Sequence, residues 1–362
     1  MPRPTRPSSI TITSGGSTPE PLRGVTLLLR RLGAMLGTAL CLSLLVFWLT
    51  HLPPNLEKLA KSQGSARMSD AEVASWLERS GFDRPLPVLY GEWLGVLPRA
   101  DCGHCGVMQG EWGQSTVFRQ PVSAVILRSL AATGWLMLWV MAVMVPTALA
   151  LGVLAGMREG SRTDRTISVA TILTAATPEY VSGVVLVALF ASATAGLSPL
   201  LHEAGWIERR TLFQGTASGA MTRITFWNFA LPVATIALYG TGYIARITRA
   251  SMAEVMAQPY IRTARLKGAG LARIVLVHAL RNALVAPVTV ILLQLPWLLN
   301  GVVIVETLFA YKGFGWTLVQ AAGNNDIALL LGCSVVAVTL VLATQALSDL
   351  AYRALNPRLR VG

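Results

Sequence analysis

An all-α polytopic membrane protein with about six transmembrane helices is what this sequence predicts, and three observations carry the prediction. Hydrophobic residues make up 53% of the 362 positions against 13% charged, a balance too apolar for a soluble domain. The apolar residues gather into runs long enough, as helices, to cross roughly 30 Å of hydrocarbon. Basic residues between those runs sort to one side: 18 of 30 Lys and Arg fall in the N-terminal tail, the 158–165 turn, the 246–287 loop and the C-terminal tail. Only five of 18 acids share that side: Glu20, Glu159, Asp164, Glu254 and Asp349. Short cytoplasmic loops are enriched in Lys and Arg, so both termini are expected in the cytoplasm. The net charge of +12 therefore reads as topology in a lipid bilayer, because no aromatic-interleaved basic surface for nucleic acid is present.

Taken in order, residues 1–22 are rich in Pro, Ser, Thr and Gly and are expected as a disordered cytoplasmic tail. The first transmembrane segment, 23–52, sets Arg23, Arg30 and Arg31 ahead of an apolar run from 32 to 52. No small-x-small cleavage site follows Leu52, so an uncleaved span is favoured over a signal peptide. Residues 53–128 form an extracytoplasmic region with short helices. In it Ser69 and Glu72 make a capping box, Val73, Trp76 and Leu77 share an apolar face, and Gly81 closes the helix. The core, 129–352, holds five further spans at about 131–157 (kinked at Pro146), 166–193, from 226 onward, 284–305 and 327–349. Trp206 and Phe213 are expected as interfacial anchors in the polar stretch 195–223. Residues 353–362 form a cytoplasmic C-terminal tail.

The 246–287 loop carries seven basic residues (Arg246, Arg249, Arg262, Arg265, Lys267, Arg273 and Arg281) against the single acid Glu254. Pro259 cannot continue a helix but suits the first position of a new one, and Gly268 and Gly270 supply a left-handed or open stop. A helix of about two turns is therefore expected over 259–267. Ala264 and Gly268 lie four apart on one face, where their small size would let a partner's backbone approach closely, while Arg262 and Arg265 share another. The run Glu254, Val255, Tyr260, Arg262, Thr263, Ala264, Arg265, Lys267, Gly268, His278, Leu280, Arg281, Asn282, Ala283, Leu284, Pro287 resembles the coupling loop of ABC-importer permeases. The match is to the dipeptide, oligopeptide and nickel branch, with its pattern E-V, Y-(I/V)-R-T-A-R-x-K-G, H-x-L-R-N-A-L and a proline.

Other stretches extend the resemblance from about residue 23 to the C-terminus. Gly81-Phe82-Asp83-Arg84-Pro85-Leu86 is similar to the family's G-L-D-R-P-L, and Tyr90-Gly91-Glu92-Trp93-Leu94 to its Y-x-x-W-L. Gly110-Glu111-Trp112-Gly113-Gln114-Ser115 stands where G-D-L-G-x-S is common, and Glu306-Thr307-Leu308-Phe309 with Gly313-Phe314-Gly315 resembles V-E-T-x-F-x-x-x-G-x-G. The implied fold is that of a type I ABC-importer permease, with coupling loop 246–283. The implied partners are a second permease subunit, two ATP-binding subunits holding ATP and Mg, and an extracytoplasmic solute-binding protein. No cofactor is expected on this chain, since no G-x-x-x-x-G-K-S/T occurs and Lys58, Lys61, Lys267 and Lys312 sit in no phosphate loop. Di- or oligopeptides lead as cargo, with nickel or a metal chelate next.

Polar residues on spans are candidates to line the passage. Glu179 in the third span is the sharpest, because an ionisable group at membrane depth normally faces a cavity or partner. At about 100° per residue Thr289 and Asn300 fall within roughly 20° of each other, as do Ser334 and Gln345. Glu306 is expected on the outer side, either meeting a delivered binding protein or capping a helix. Cys102-Gly103-His104-Cys105 departs from the family's pattern and looks inserted. A structural disulfide between Cys102 and Cys105 ranks first, a metal contact second and redox catalysis third; the last supports the rival reading, a membrane thiol oxidoreductase.

Overall fold

The computed structural model describes residues 20–99 and 102–355. Most of the expected tails, 1–19 and 356–362, lies outside the described residues. Residues 20–22 and 353–355, assigned above to tails, instead extend the first and last helices, since nothing in either sequence breaks the turn. The described chain is helical apart from turns and two isolated bridges, Arg99 with Gly103 and Gln114 with Pro121.

In chain order the helices are α1 (Glu20–Thr50), α2 (Pro53–Gln63), α3 (Asp70–Arg79), α4 (Leu86–Leu94), α5 (Val122–Gly156), α6 (Arg162–Ala176), α7 (Glu179–Phe190) and α8 (Leu197–Glu203). After these come α9 (Phe226–Met256), α10 (Pro259–Leu266), α11 (Leu271–Ala283), α12 (Val285–Leu293), α13 (Leu295–Leu308), α14 (Phe314–Gly323) and α15 (Ile327–Leu355). Four helices among the described residues are long and apolar enough to cross a membrane: α1, α5, α9 and α15. Counting the bent pairs α6/α7 and α11/α12 as one span each raises the total to six.

Two of the expected spans are not straight. The third breaks between α6 and α7, whose axes meet at 108°. Pro178 cannot donate the next helical hydrogen bond and drives Thr177 out of the α region to φ −88°, ψ 123°. The expected span 284–305 is broken at Gln294, and α11 meets α12 at 47°. Pro287 and Pro296 lack the N–H groups that would bond back to residues 283 and 292, so the register resets at each. Pro146, by contrast, sits inside an unbroken α5.

The core is built on α9, which lies along α5 and against α6. Glycines allow the close approach. A β-carbon on Gly152 would stand 2.3 Å from the Thr248 side chain, and one on Gly156 would stand 2.5 Å from the Arg249 carbonyl oxygen. This is a small-x-x-x-small pair on α5 working as such pairs do in bilayers, where dispersion between backbones replaces the hydrophobic effect. Phe213, expected at the lipid interface, instead packs edge-on to Phe190 with ring centroids 6.2 Å apart, whereas Trp206 is exposed.

On the expected extracytoplasmic side, local rules hold. Ser69 and Glu72 form the capping box of α3, Val73 is buried, and Trp76 and Leu77 pack into one cluster with Phe47 of α1. Arg84 donates to both carboxylate oxygens of Glu92, at 2.6 and 2.9 Å, and to the Gly81 carbonyl, so the Gly81–Leu86 motif is tied to α4. Cys102 and Cys105 are paired as a disulfide. Ser115, the last residue of the glycine-bearing motif, donates at 2.6 Å to buried Asp326, which also accepts from the Val117 and Leu329 N–H groups and so caps α15. We expect Ser115→Ala to cost about 1–3 kcal/mol, because it removes a donor from a buried carboxylate. A thermal melt of the purified variant measures it, and an unchanged transition would show that the Ser115 bond adds nothing.

Candidate functional site

The basic loop between α9 and α11 folds as its punctuation predicts. Gln258 caps α10, Pro259 occupies its first turn, and Gly268 at φ +80° turns the chain out. The N–H groups of Gly268 and Ala269 bond back to the Arg265 and Ala264 carbonyls at 3.0 and 3.1 Å, closing the helix in the manner of a glycine cap. Gly270 is extended, not left-handed, and caps α11.

The helix is amphipathic, and its orientation bears on one expectation. Ile261 is fully buried among Met252, Ile274, Val275 and Ala279, and Ala264 packs against the same cluster. Ala264 is half-buried and spends part of its surface on the chain's own core, on the stripe it shares with Ile261. The outward residues are Tyr260, Arg262, Thr263, Arg265, Leu266, Lys267 and Gly268, with Glu254 exposed a turn earlier on α9. Leu266, which the motif leaves unspecified, is 81% exposed. Two polar ties hold this surface: Asn282 donates to the Tyr260 hydroxyl at 2.9 Å, and Ser251 donates to the Ala283 carbonyl at 2.8 Å.

A third tie escaped sequence reasoning. Arg249 of α9 donates to both oxygens of Asp164, at 2.6 and 2.8 Å, joining the 158–165 turn to the last third of α9 ahead of α10. Asp164 also accepts from the Gly160 N–H and gives its own N–H to the Ser161 hydroxyl, which caps α6, so one carboxylate holds the turn before α6 and binds Arg249 at once. The S-x-x-D spacing signalled the cap, but the Arg249 partner lies 85 residues away. The Arg249 guanidinium holds the Asp164 carboxyl well below the usual carboxylate range. A depressed carboxylate contributes stability above its unfolded value and loses it only as pH falls through the folded one, so this tie is constant through neutral pH. Arg249→Ala strands a buried acid, and we expect a loss of about 2–3 kcal/mol in a thermal melt at pH 7, shrinking as the pH is lowered toward the acid range. A pH-independent loss would assign the effect to packing alone.

Glu306 is buried and cannot meet a binding protein directly. Sitting in the last turn of α13, it accepts from Thr133 of α5 and from the N–H of Trp316 at 3.0 Å, with the Gly315 backbone also bonded to it. Thr133 in turn accepts from the Phe314 N–H at 2.8 Å. The helix-capping alternative is the one the geometry takes: Glu306 caps α14 and ties it to α5.

The residues expected to line a passage are scattered. Glu179 is the half-buried first residue of α7, at the 108° bend between α6 and α7. Thr289 on α12 bonds back to the Val285 carbonyl, and Asn300 belongs to α13; the break at Gln294 undoes the shared face that assumed one straight helix. Ser334 and Gln345 do share the unbroken α15, Ser334 bonded to the Leu330 carbonyl and Gln345 exposed. Glu179, Thr289, Ser334 and Gln345 do not border the cavity of about 380 Å³ between α5, α6 and α9, whose hydroxyls come from Thr147, Thr166, Thr171, Thr174 and Thr241. Among the described residues no three of His, Cys, Asp and Glu gather as a metal site would require.

Apolar helices with proline-bent spans, joined by an amphipathic helix that keeps its cationic face unburied, define a multi-pass membrane protein. The chain belongs to the family described as binding-protein-dependent transport system inner membrane component, whose model matches residues 148–361. It is 32% identical over 347 residues to the di/tripeptide transport system permease protein DppB of Pseudomonas aeruginosa (strain UCBPP-PA14), covering 91% of this chain and 97% of that one. Identity to the dipeptide transport system permease protein DppB of Escherichia coli (strain K12) is 31% over 348 residues, covering 92% and 98%. A solved bacterial ABC transporter involved in the import of the acidic polysaccharide alginate aligns over 73% of this chain at 14% identity, with a TM-score of 0.49.

Proposed function

We propose that this chain is one of two permease subunits of an ATP-driven importer of di- or oligopeptides. The observation that carries the reading is likeness along more than nine-tenths of the chain to proteins named as peptide permeases. Their cargo is transferred here as the chemistry to test. An extracytoplasmic solute-binding protein delivers the peptide, and two partner subunits bind and hydrolyse ATP with Mg. The outward face of α10 docks on an ATP-binding subunit, with Glu254, Tyr260, Arg262, Thr263, Arg265, Lys267 and Gly268 at or beside the contact. Nucleotide-driven movement of α10 passes to α9 and α11, and the bundle alternates between outward- and inward-facing forms. Coupling of this kind requires that α10 make different contacts in the two states. Both termini lie in the cytoplasm, a placement supported by the Lys/Arg bias and by the disulfide, which persists in an oxidising compartment. Glu179, Thr289, Asn300, Ser334 and Gln345 remain candidates for the passage wall, now in competition with the threonine-lined cleft. Nothing in the structure or among the relatives named above favours nickel or metal-chelate cargo, or thiol oxidoreduction at Cys102 and Cys105.

Gentle-detergent purification of the tagged chain, with mass spectrometry of what accompanies it, tests the assembly. Two P-loop ATPases and a second permease are expected, and the reconstituted complex should take up labelled dipeptide in an ATP-dependent manner. A lone chain with a redox-cycling Cys102–Cys105 pair would overturn the reading.

A further inference from the structure

Leu266 is the most exposed large apolar side chain among the described residues, and it stands in a polar, basic loop. The inner stripe of α10 is already spent on Ile261 and Ala264, so packing within this chain does not account for it. Arg265 and Lys267 flank it in sequence and Arg262 lies one turn before it on the same side. None of these three cations makes a side-chain hydrogen bond or ion pair among the described residues. The exposed surface thus sets one large aliphatic side chain beside three exposed cations, on a short helix bounded by Pro259 and Gly268.

We propose that Leu266 is the residue by which this chain selects its ATP-hydrolysing partner: the side chain enters an apolar pocket whose acidic rim faces Arg262, Arg265 and Lys267. The proposal rests on the docking reading above and adds to it a division of labour. Charge at the rim steers encounter and sets the salt dependence, and it is common to many partners. A central apolar anchor sets the dissociation rate and discriminates between pockets of different size. The residues that the motif specifies supply the first role, and the position it leaves open supplies the second.

The test uses the P-loop ATPase that co-purifies with the wild-type chain, once identified and purified, titrated against the permease assembly in lipid nanodiscs. Leu266→Ala should bind it about tenfold or more weakly, mainly through faster dissociation. Leu266→Met should stay within about threefold of wild type, since it keeps volume and apolarity. Discrimination against a second ATPase, taken from another importer of the same cell, should be lost in Leu266→Ala. Leu276→Ala, on an exposed stretch of α11, serves as the control and should change nothing. Because Leu266 touches none of the buried cluster, failure to fold does not complicate the result. If Leu266→Ala binds and discriminates as wild type does while neutralising Arg262, Arg265 and Lys267 abolishes binding, the selection role falls and docking stands. If no P-loop ATPase accompanies the wild-type chain, both fall.

Discussion

Glu306→Ala is expected to destabilise the protein by about 3–5 kcal/mol, the largest effect of any single substitution considered. The carboxylate has no exposed surface, and its removal strands the Trp316 N–H, the Gly315 backbone and the Thr133 hydroxyl together. Total stabilities of folded domains run to only about 5–15 kcal/mol, so a loss of this size reaches expression level as well as melting temperature. Glu306→Gln keeps one acceptor oxygen and should fall between the two. Gly313→Ala attacks the same site from the other side, because its β-carbon would lie 2.0 Å from a Glu306 oxygen. Thermal melts in detergent of the three variants should rank Gln above Ala at position 306, with Gly313→Ala clearly below wild type. A Glu306→Ala protein that melts with the wild type would remove Glu306 from the structural frame and return it to the surface role first considered for it.

Gly268→Val should insert normally and fail in transport, with ATP-dependent uptake reduced more than tenfold. No atom lies within 4 Å of where its β-carbon would stand, so the effect does not come from a clash within the chain. It comes from φ +80°, a conformation that costs a non-glycine residue about 1–2 kcal/mol and a β-branched one more. That cost is too small to unfold the bundle, yet it is borne entirely by the turn leaving α10. The helix end relaxes, and the outward face no longer presents Arg265, Leu266 and Lys267 in one geometry. Parallel assays of membrane content, ATP hydrolysis and uptake separate the outcomes: hydrolysis retained with uptake lost is expected, and normal uptake would remove the support for docking at this turn.

The short helix α10 was legible because each of its signals is local. Pro259 and Gly268 act on their own backbone. The Ser69–Glu72 cap was legible for the same reason. What the spacing did not reveal is which stripe of α10 faces inward. Small residues suit both a partner's backbone and a crowded core, and only the placement of α9 and α11 brings Ala264 against the core.

By itself, then, the sequence determined the order of the apolar segments and the start and stop of the short helices. Each follows from composition and dihedral preference over a few consecutive residues. The tertiary structure alone decided the 108° fold of the third span, the burial of Glu306 and the partners of the buried acids. Glu306 meets Thr133 across 173 residues, Asp326 meets Ser115 across 211, and Asp164 meets Arg249 across 85. No periodicity links positions so far apart. A buried carboxylate must find donors, but which donors it finds is settled by how the helices pack.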